Sequence, residues 1–118
     1  MTRSAKVMCH RVYDKLPASG YRVLVDRVWP RGVRKEELQL DEWCRDLAPS
    51  SQLRKWFDHD PDKWDEFCRR YHDELGSHRD DIRELQERCG KKTLRLLYGA
   101  RDTDHNNAVA LKAFIEAR

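Results

Sequence analysis

The sequence predicts a small single α/β domain in which a few-stranded, mainly parallel sheet is flanked by helices. Three observations carry this expectation. Two short and nearly continuous apolar runs, Val23-Leu24-Val25 and Leu94-Arg95-Leu96-Leu97, suit strands covered on both faces. Several helical segments lie between them, so a parallel pairing with a helical crossover is natural. The chain has 118 residues, a length suited to one domain over 1–118 with one hydrophobic core.

Taken in order, residues 6–13 read as a short first strand, and Pro17, Ser19 and Gly20 mark a turn. Residues 21–28 read as the second strand. The link between the two is too short for a helix, so they form either an antiparallel pair or an extended crossover. Pro30-Arg31-Gly32 breaks the strand, and helical character follows over 35–47 and 51–57, with Pro49 between them and a serine of Ser50-Ser51 capping the second. Asp60-Pro61 marks a helix start, with Asp60 as N-cap and Pro61 in the first turn. Trp64, Phe67, Cys68, Tyr71 and Leu75 then fall on one helical stripe. A further helix over 78–89 carries Ile82, Leu85 and Cys89 and ends at Gly90. Residues 93–98 form the third strand, and a last helix runs over 105–117 with Val109, Leu111, Ala113, Phe114 and Ile115 on its buried side.

Composition narrows the function classes. Charged residues make up 38 % of the chain, well above the ~25 % of typical soluble proteins. The signs are mixed, 24 basic against 21 acidic, and a net +3 does not by itself argue for nucleic acid. Helical stretches such as Arg79-Asp80-Asp81-Ile82-Arg83-Glu84 interleave the two signs, the pattern of a solvated face, and no helix-turn-helix, zinc-finger or RNP signature is present. Nucleic acid as a partner is therefore weakly supported. No apolar run approaches the ~18 residues of a membrane span. Cys9, Cys44, Cys68 and Cys89 form no CxxC pair and, with no signal peptide in view, read as reduced thiols of a cytosolic protein.

Chemistry is expected where the second and third strands end. If they are parallel neighbours, their carboxyl ends lie side by side, the place where open α/β sheets bind ligands. One rim then carries Asp26, Arg27, Trp29 and Arg31, and the other Tyr98, Arg101 and Asp102, with the start of the last helix and Asn106 just beyond. Guanidinium groups and helix-end amides together make an anion site for phosphate or carboxylate. The competing reading is structural: Asp26–Arg27 and Arg101–Asp102 tie loops together as ion pairs, or Arg27 and Arg31 satisfy backbone carbonyls inside the fold. If there is catalysis here, Asp26 or Asp102 orients or activates a group while Arg27 and Arg31 neutralise developing charge.

Other constellations are weaker. His59 between Asp58 and Asp60 has the makings of an oriented general base, although a local loop role explains it better. Cys68 and His72 stand four apart on one helix, and Cys9 adjoins His10, but no four-ligand spacing emerges and no metal site is expected. No cysteine has a legible activating neighbour, and Cys9 and His10 point to opposite faces of a strand. There is no GxGxxG or Walker loop, so no cofactor is expected.

Arg11-Val12-Tyr13-Asp14, the block Gly20-Tyr21-Arg22-Val23-Leu24-Val25-Asp26-Arg27-Val28-Trp29-Pro30-Arg31-Gly32, Ala48-Pro49-Ser50, Leu53-Arg54-Lys55-Trp56-Phe57 and His59-Asp60-Pro61 together resemble the YeaO-like branch of the domain-of-unknown-function 488 family. The strand Leu94–Leu97, Tyr98, Ala100 and the 106–111 segment extend the resemblance over essentially the whole chain. It implies a compact bacterial cytosolic α/β protein, and the family's name assigns no activity. One departure bears on mechanism: where relatives often read Asn-His-Ala, this chain has Asn106-Asn107-Ala108. Asn107 hydrogen-bonds but exchanges no proton near neutrality, and His105 is expected to point elsewhere on the helix. The leading expectation is an anion-binding crevice formed by Asp26, Arg27, Arg31, Tyr98, Arg101, Asp102 and the 105–107 helix start, whose ligand is a phosphate- or carboxylate-bearing small molecule or a nucleotide and in which Arg31→Ala abolishes binding. The rival is a non-catalytic protein- or nucleic-acid-binding module anchored on Trp29 and nearby arginines.

Overall fold

The computed structural model describes residues 6–117; the expectation of one domain over 1–118 includes ends outside the described residues. Four strands form one parallel sheet: β1 (Val7–Arg11), β2 (Tyr21–Leu24), β3 (Glu42–Trp43) and β4 (Leu94–Tyr98), in the order β1-β4-β2-β3. β4 therefore sits between β1 and β2. Val7 faces Leu94 across one ladder, and Tyr21 faces Leu94 across the other. The open question about the first two strands is answered by a third strand inserted between them, with residues 12–20 as an extended crossover.

The main helices pack on one face of this sheet: α2 (Ser51–Phe57), α3 (Trp64–Leu75), α4 (Arg79–Cys89) and α5 (Asn107–Glu116). Alternation along the strands decides which side chains meet them. Val23, Val25, Leu94, Leu96 and Tyr98 join Leu53, Phe57, Phe67, Tyr71, Ile82, Leu85 and Leu111 in the larger core. The sequence-level stripe on α3 is confirmed: Phe67, Tyr71 and Leu75 are buried, and Phe57 and Phe67 stack at 4.3 Å between ring centroids. Ser50 caps α2 by accepting from the Leu53 N–H, and Asp60 caps the short 3-10 turn Pro61–Lys63 that leads into α3.

The opposite face is covered without a long helix. Leu24 and Leu97 point there, into a second cluster with Val12 and Leu38, closed over by Leu16, Trp29, Val33, Leu40 and Trp43. Two cross-strand neighbours, Arg22 and Arg95, hold the covering loops. Arg22 donates to the Leu38 and Pro17 carbonyls at 2.7 and 2.6 Å, and Arg95 donates to Ser19 at 2.5 Å. Charge-assisted bonds to loop carbonyls substitute here for the packed face of a helix.

Gly20 makes that close approach possible. Its φ is +105°, and a Cβ there would lie 2.5 Å from Arg95 Nε and 3.0 Å from the Thr93 carbonyl. Gly20→Ala is expected to cost about 1–3 kcal/mol in urea denaturation; a loss under ~0.5 kcal/mol, the range of indifferent surface changes, would contradict this account of the turn.

Three expected boundaries are corrected. The helix expected over 35–47 is a single turn, α1 (Lys35–Leu38), ended by Gln39 in a left-handed conformation (φ 46°). The chain then joins the sheet as β3, with the Asp41 and Cys44 N–H groups donating to Arg22 and Leu24 of β2, before the 3-10 turn Arg45–Leu47. The free edge of β2 offers these backbone partners, and they outweigh local helix propensity. The second strand, expected to 28, ends at Leu24; Val25 still donates to the Leu97 carbonyl before the chain bends away. The last helix starts at Asn107 rather than 105, because Asn106 turns out of the helix and caps it through the Val109 N–H.

Candidate functional site

Beyond the carboxyl ends of β2 and β4 lies a cleft of about 550 Å³. Its location follows from the sheet: both central strands stop at the same level, and α5 begins just past β4. Asp26 ties these three endings together. Its Oδ2 accepts from the Gly99 N–H at 2.8 Å and its Oδ1 from the Asn107 amide at 3.1 Å. The same Asn107 amide donates to the Val25 carbonyl at 2.8 Å, and Trp43 Nε1 donates to the Asp26 carbonyl at 2.7 Å. Gly99 allows the carboxylate this close; a Cβ there would stand 3.1 Å from Asp26 Oδ2.

Burial pushes the Asp26 carboxyl above its usual range, while the Asn107 and Gly99 donors and the charge of Arg54 pull it back down. Its protonated form is thus relatively favoured in the fold. By linkage, its contribution to stability is greatest below the ordinary aspartate pKa and is lost as pH rises through the raised value.

The sequence-predicted rim residues separate into groups. Asp26, Arg27, Arg31, His59 and Asn106 line the cleft, whereas Trp29, Tyr98, Arg101 and Asp102 do not. Arg27 donates to the Pro49 and Ala48 carbonyls at 3.3 and 3.4 Å, so it holds the Ala48-Pro49-Ser50 segment, as the structural reading anticipates. The expected Asp26–Arg27 and Arg101–Asp102 ion pairs are absent among the described residues. Arg31 is exposed at the mouth. Trp29 packs edge-on against Trp43 at 5.3 Å and donates its indole N–H to Val33 at 2.6 Å. Tyr98 is buried on the helical face with Leu94 and Leu96, which the two-residue alternation of the strand already implies. Arg101 is exposed. Asn106, 2 % exposed, has both ends of its amide engaged: Nδ2 donates to the Asp102 carbonyl, and Oδ1 accepts from Val109.

Geometry bears on three histidine and cysteine expectations. His59 sits at a left-handed turn (φ 55°), and among the described residues nothing hydrogen-bonds its ring, so Asp58 and Asp60 do not orient it. His105 lines the cleft, contrary to the expectation that it points elsewhere. The helical-wheel argument fails because residue 105 precedes the helix. Asp102, held below the usual carboxylate range by the Asp104 N–H and by His105, accepts from His105 Nδ1 at 2.9 Å. An ionised acceptor fixes the Nδ1–H tautomer and leaves the lone pair on Nε2. Burial raises the thiol pKa of Cys9 and Cys68 to about 11 and of Cys44 to about 12, and raises that of Cys89. None of the four lines the cleft, and all are weak nucleophiles at neutral pH. Among the described residues no three His, Cys, Asp or Glu side chains are grouped to hold a metal.

Two contributors escape a reading of the sequence. Arg54 and Lys55, near the end of α2, line the cleft. In the sequence they resemble the many other cations on helix surfaces. Among the described residues, Arg54 Nε is the one buried side-chain nitrogen or oxygen without a hydrogen-bond partner. Asn107, by contrast, is expected at the helix start beyond this rim, and it lines the cleft as the first residue of α5.

Fold and cleft define a small parallel α/β domain with a basic cleft at the carboxyl edge of its sheet. The chain belongs to the domain-of-unknown-function 488 family: the family model described as "Inactive DUF488-N3 subclade" matches residues 6–118. It is 40 % identical over 112 residues to the uncharacterized protein YeaO of Escherichia coli, covering 94 % of this chain and 97 % of that protein. It is 37 % identical over 119 residues to the uncharacterized protein Rv3073c of Mycobacterium tuberculosis, covering all of both chains. No solved structure matches. Among the described residues no helix is long and apolar enough to cross a membrane.

Proposed function

We propose that this protein binds a small anion-bearing molecule, a phosphate or a carboxylate, in the cleft between the ends of β2 and β4. The observation that carries the reading is the charge balance of the lining. Arg27, Arg31, Arg54 and Lys55 stand against two carboxylates, Asp26 and Asp58. None of the four cations makes an ion pair among the described residues. A concave, partly desolvated surface with uncompensated positive charge concentrates anions and interacts with them more strongly than an open surface.

Binding without turnover suits this site better than catalysis. The family model is described as inactive, Asn107 exchanges no proton near neutrality, and none of the four cysteines lines the cleft. His105, oriented by Asp102 and lining the cleft, then serves as a further polar contact for the ligand. The rival module anchored on Trp29 has less to stand on, because that indole is engaged by Val33 and Trp43 within the fold.

Amide chemical-shift mapping with inorganic phosphate at low ionic strength tests the placement. The expected result is saturable shifts at Asp26, Gly99 and Asn107, the three residues joined at the cleft. Shifts confined to the opposite end of the sheet would contradict it.

A further inference from the structure

Resting on the anion-binding reading, we infer that the cleft's ligand is a phosphomonoester whose alcohol part carries a flat aromatic or heteroaromatic ring, and that Tyr13 is the platform for that ring. Tyr13 and Val28 are the large hydrophobic residues left exposed among the described residues, at 46 % and 63 %, and both line this one cleft. Single exposed apolar side chains are ordinary on a protein surface. Two that converge on a cationic cavity form an apolar rim beside an anion-binding wall.

Tyr13 is held as a rigid plane. The ladder between β1 and β4 continues past Arg11, with the Val12 N–H donating to the Tyr98 carbonyl at 2.8 Å, and this sets the backbone on which Tyr13 stands. The phenol O–H donates to the Arg31 carbonyl at 2.7 Å. The Arg11 guanidinium lies 4.8 Å from the ring centroid and is itself fixed by donating to the Ala100 carbonyl at 3.0 Å. With one face of the ring covered by Arg11, its exposure falls on the other face and the edge. An aromatic side chain already ordered loses little entropy when a second ring stacks on it.

The hydrogen bond to Arg31 also links the two halves of the site. The backbone that fixes the Tyr13 ring carries the Arg31 guanidinium at the cleft mouth. The volume agrees: about 550 Å³ lies within the ~300–1,000 Å³ of small-molecule sites, and a bare phosphate leaves most of it to water at ~30 Å³ a molecule. An anion on the cationic wall with a ring on Tyr13 uses both parts of the surface.

The experiment is calorimetric titration of the full chain, and of Tyr13→Ser, with inorganic phosphate and with phenyl phosphate. The expected result is that phenyl phosphate binds the native protein at least tenfold more tightly than phosphate does. In Tyr13→Ser that preference falls to within about twofold, whatever the lost bond to Arg31 does to the affinity for inorganic phosphate, and an unchanged far-ultraviolet circular dichroism spectrum shows that the variant is folded. Equal affinities of the native protein for the two compounds, or a preference that survives Tyr13→Ser, would overturn the ring platform and leave the anion site standing. Binding of neither compound would overturn the anion site, and the ring platform with it.

Discussion

Replacing Glu74 by alanine is expected to destabilise the protein by about 2–4 kcal/mol, a fall in Tm on the order of 10 °C for a domain of this size. Glu74 reaches from α3 to the segment that opens α2. Its carboxylate accepts from the Ser50 N–H at 2.9 Å and from the Ser50 hydroxyl at 2.7 Å. The same hydroxyl accepts from the Leu53 N–H as the cap of α2. Two neighbouring contacts hold the preceding residues: Tyr71 donates its hydroxyl to the Leu47 carbonyl, and Arg27 donates to Ala48 and Pro49. Leu47, Ala48 and Pro49 are buried, so a backbone group that loses its partner here is poorly compensated by water. Glu74→Gln keeps one carbonyl acceptor and should lose about half as much. Thermal or urea denaturation reads both variants. Because Pro49 lines the cleft, the alanine variant should also weaken anion binding, whereas unchanged stability would show that the Ala48-Pro49-Ser50 segment is held by other means.

Arg54→Met is expected to have the opposite signature, with anion affinity reduced by about tenfold or more, roughly 1.4 kcal/mol, and stability in the absence of anion within about 1 kcal/mol of the native protein. A guanidinium remains charged at every accessible pH. The Arg54 Nε–H is buried and makes no hydrogen bond among the described residues, so the fold carries its desolvation cost. An anion supplies the missing acceptor. Methionine keeps much of the apolar stem and removes the charge, so it separates packing from binding. The same change should raise the Asp26 pKa further, since the Arg54 charge is one of the influences lowering it. A carboxyl-resolved NMR titration reads that shift. The exposed Arg31 is more strongly screened, and its replacement should weaken binding less than replacement of Arg54. This ordering departs from the sequence-based expectation that Arg31 dominates.

The contrast between Arg31 and Arg54 illustrates what the sequence makes legible. Strands β2 and β4 are visible because three or four aliphatic residues in succession require cover on both faces, and the helices between them dictate parallel pairing. The α3 stripe and the Asp60 and Ser50 caps are visible because their chemistry is local. β3 is not: Glu42–Trp43 is two residues long and owes its conformation to backbone groups of β2. The inserted position of β4 is likewise set by long-range pairing. Arg54 and Lys55 resemble any solvated helical cations until the fold turns them onto the cleft. His105 turns into the cleft through a two-residue shift in a helix start, where element boundaries are least determined by local sequence. Tyr98 was the recoverable case, since alternation from Leu94 and Leu96 places it beneath the helices.

The central claim, that the cleft at the ends of β2 and β4 binds anions through its uncompensated cations, is tested most directly by titrating inorganic phosphate calorimetrically into the native chain and into Arg54→Met, at low and at high ionic strength. The account expects saturable binding by the native protein that weakens as salt is raised, and at least a tenfold loss in the variant. No binding at low ionic strength, or equal affinities for the two proteins, would contradict it.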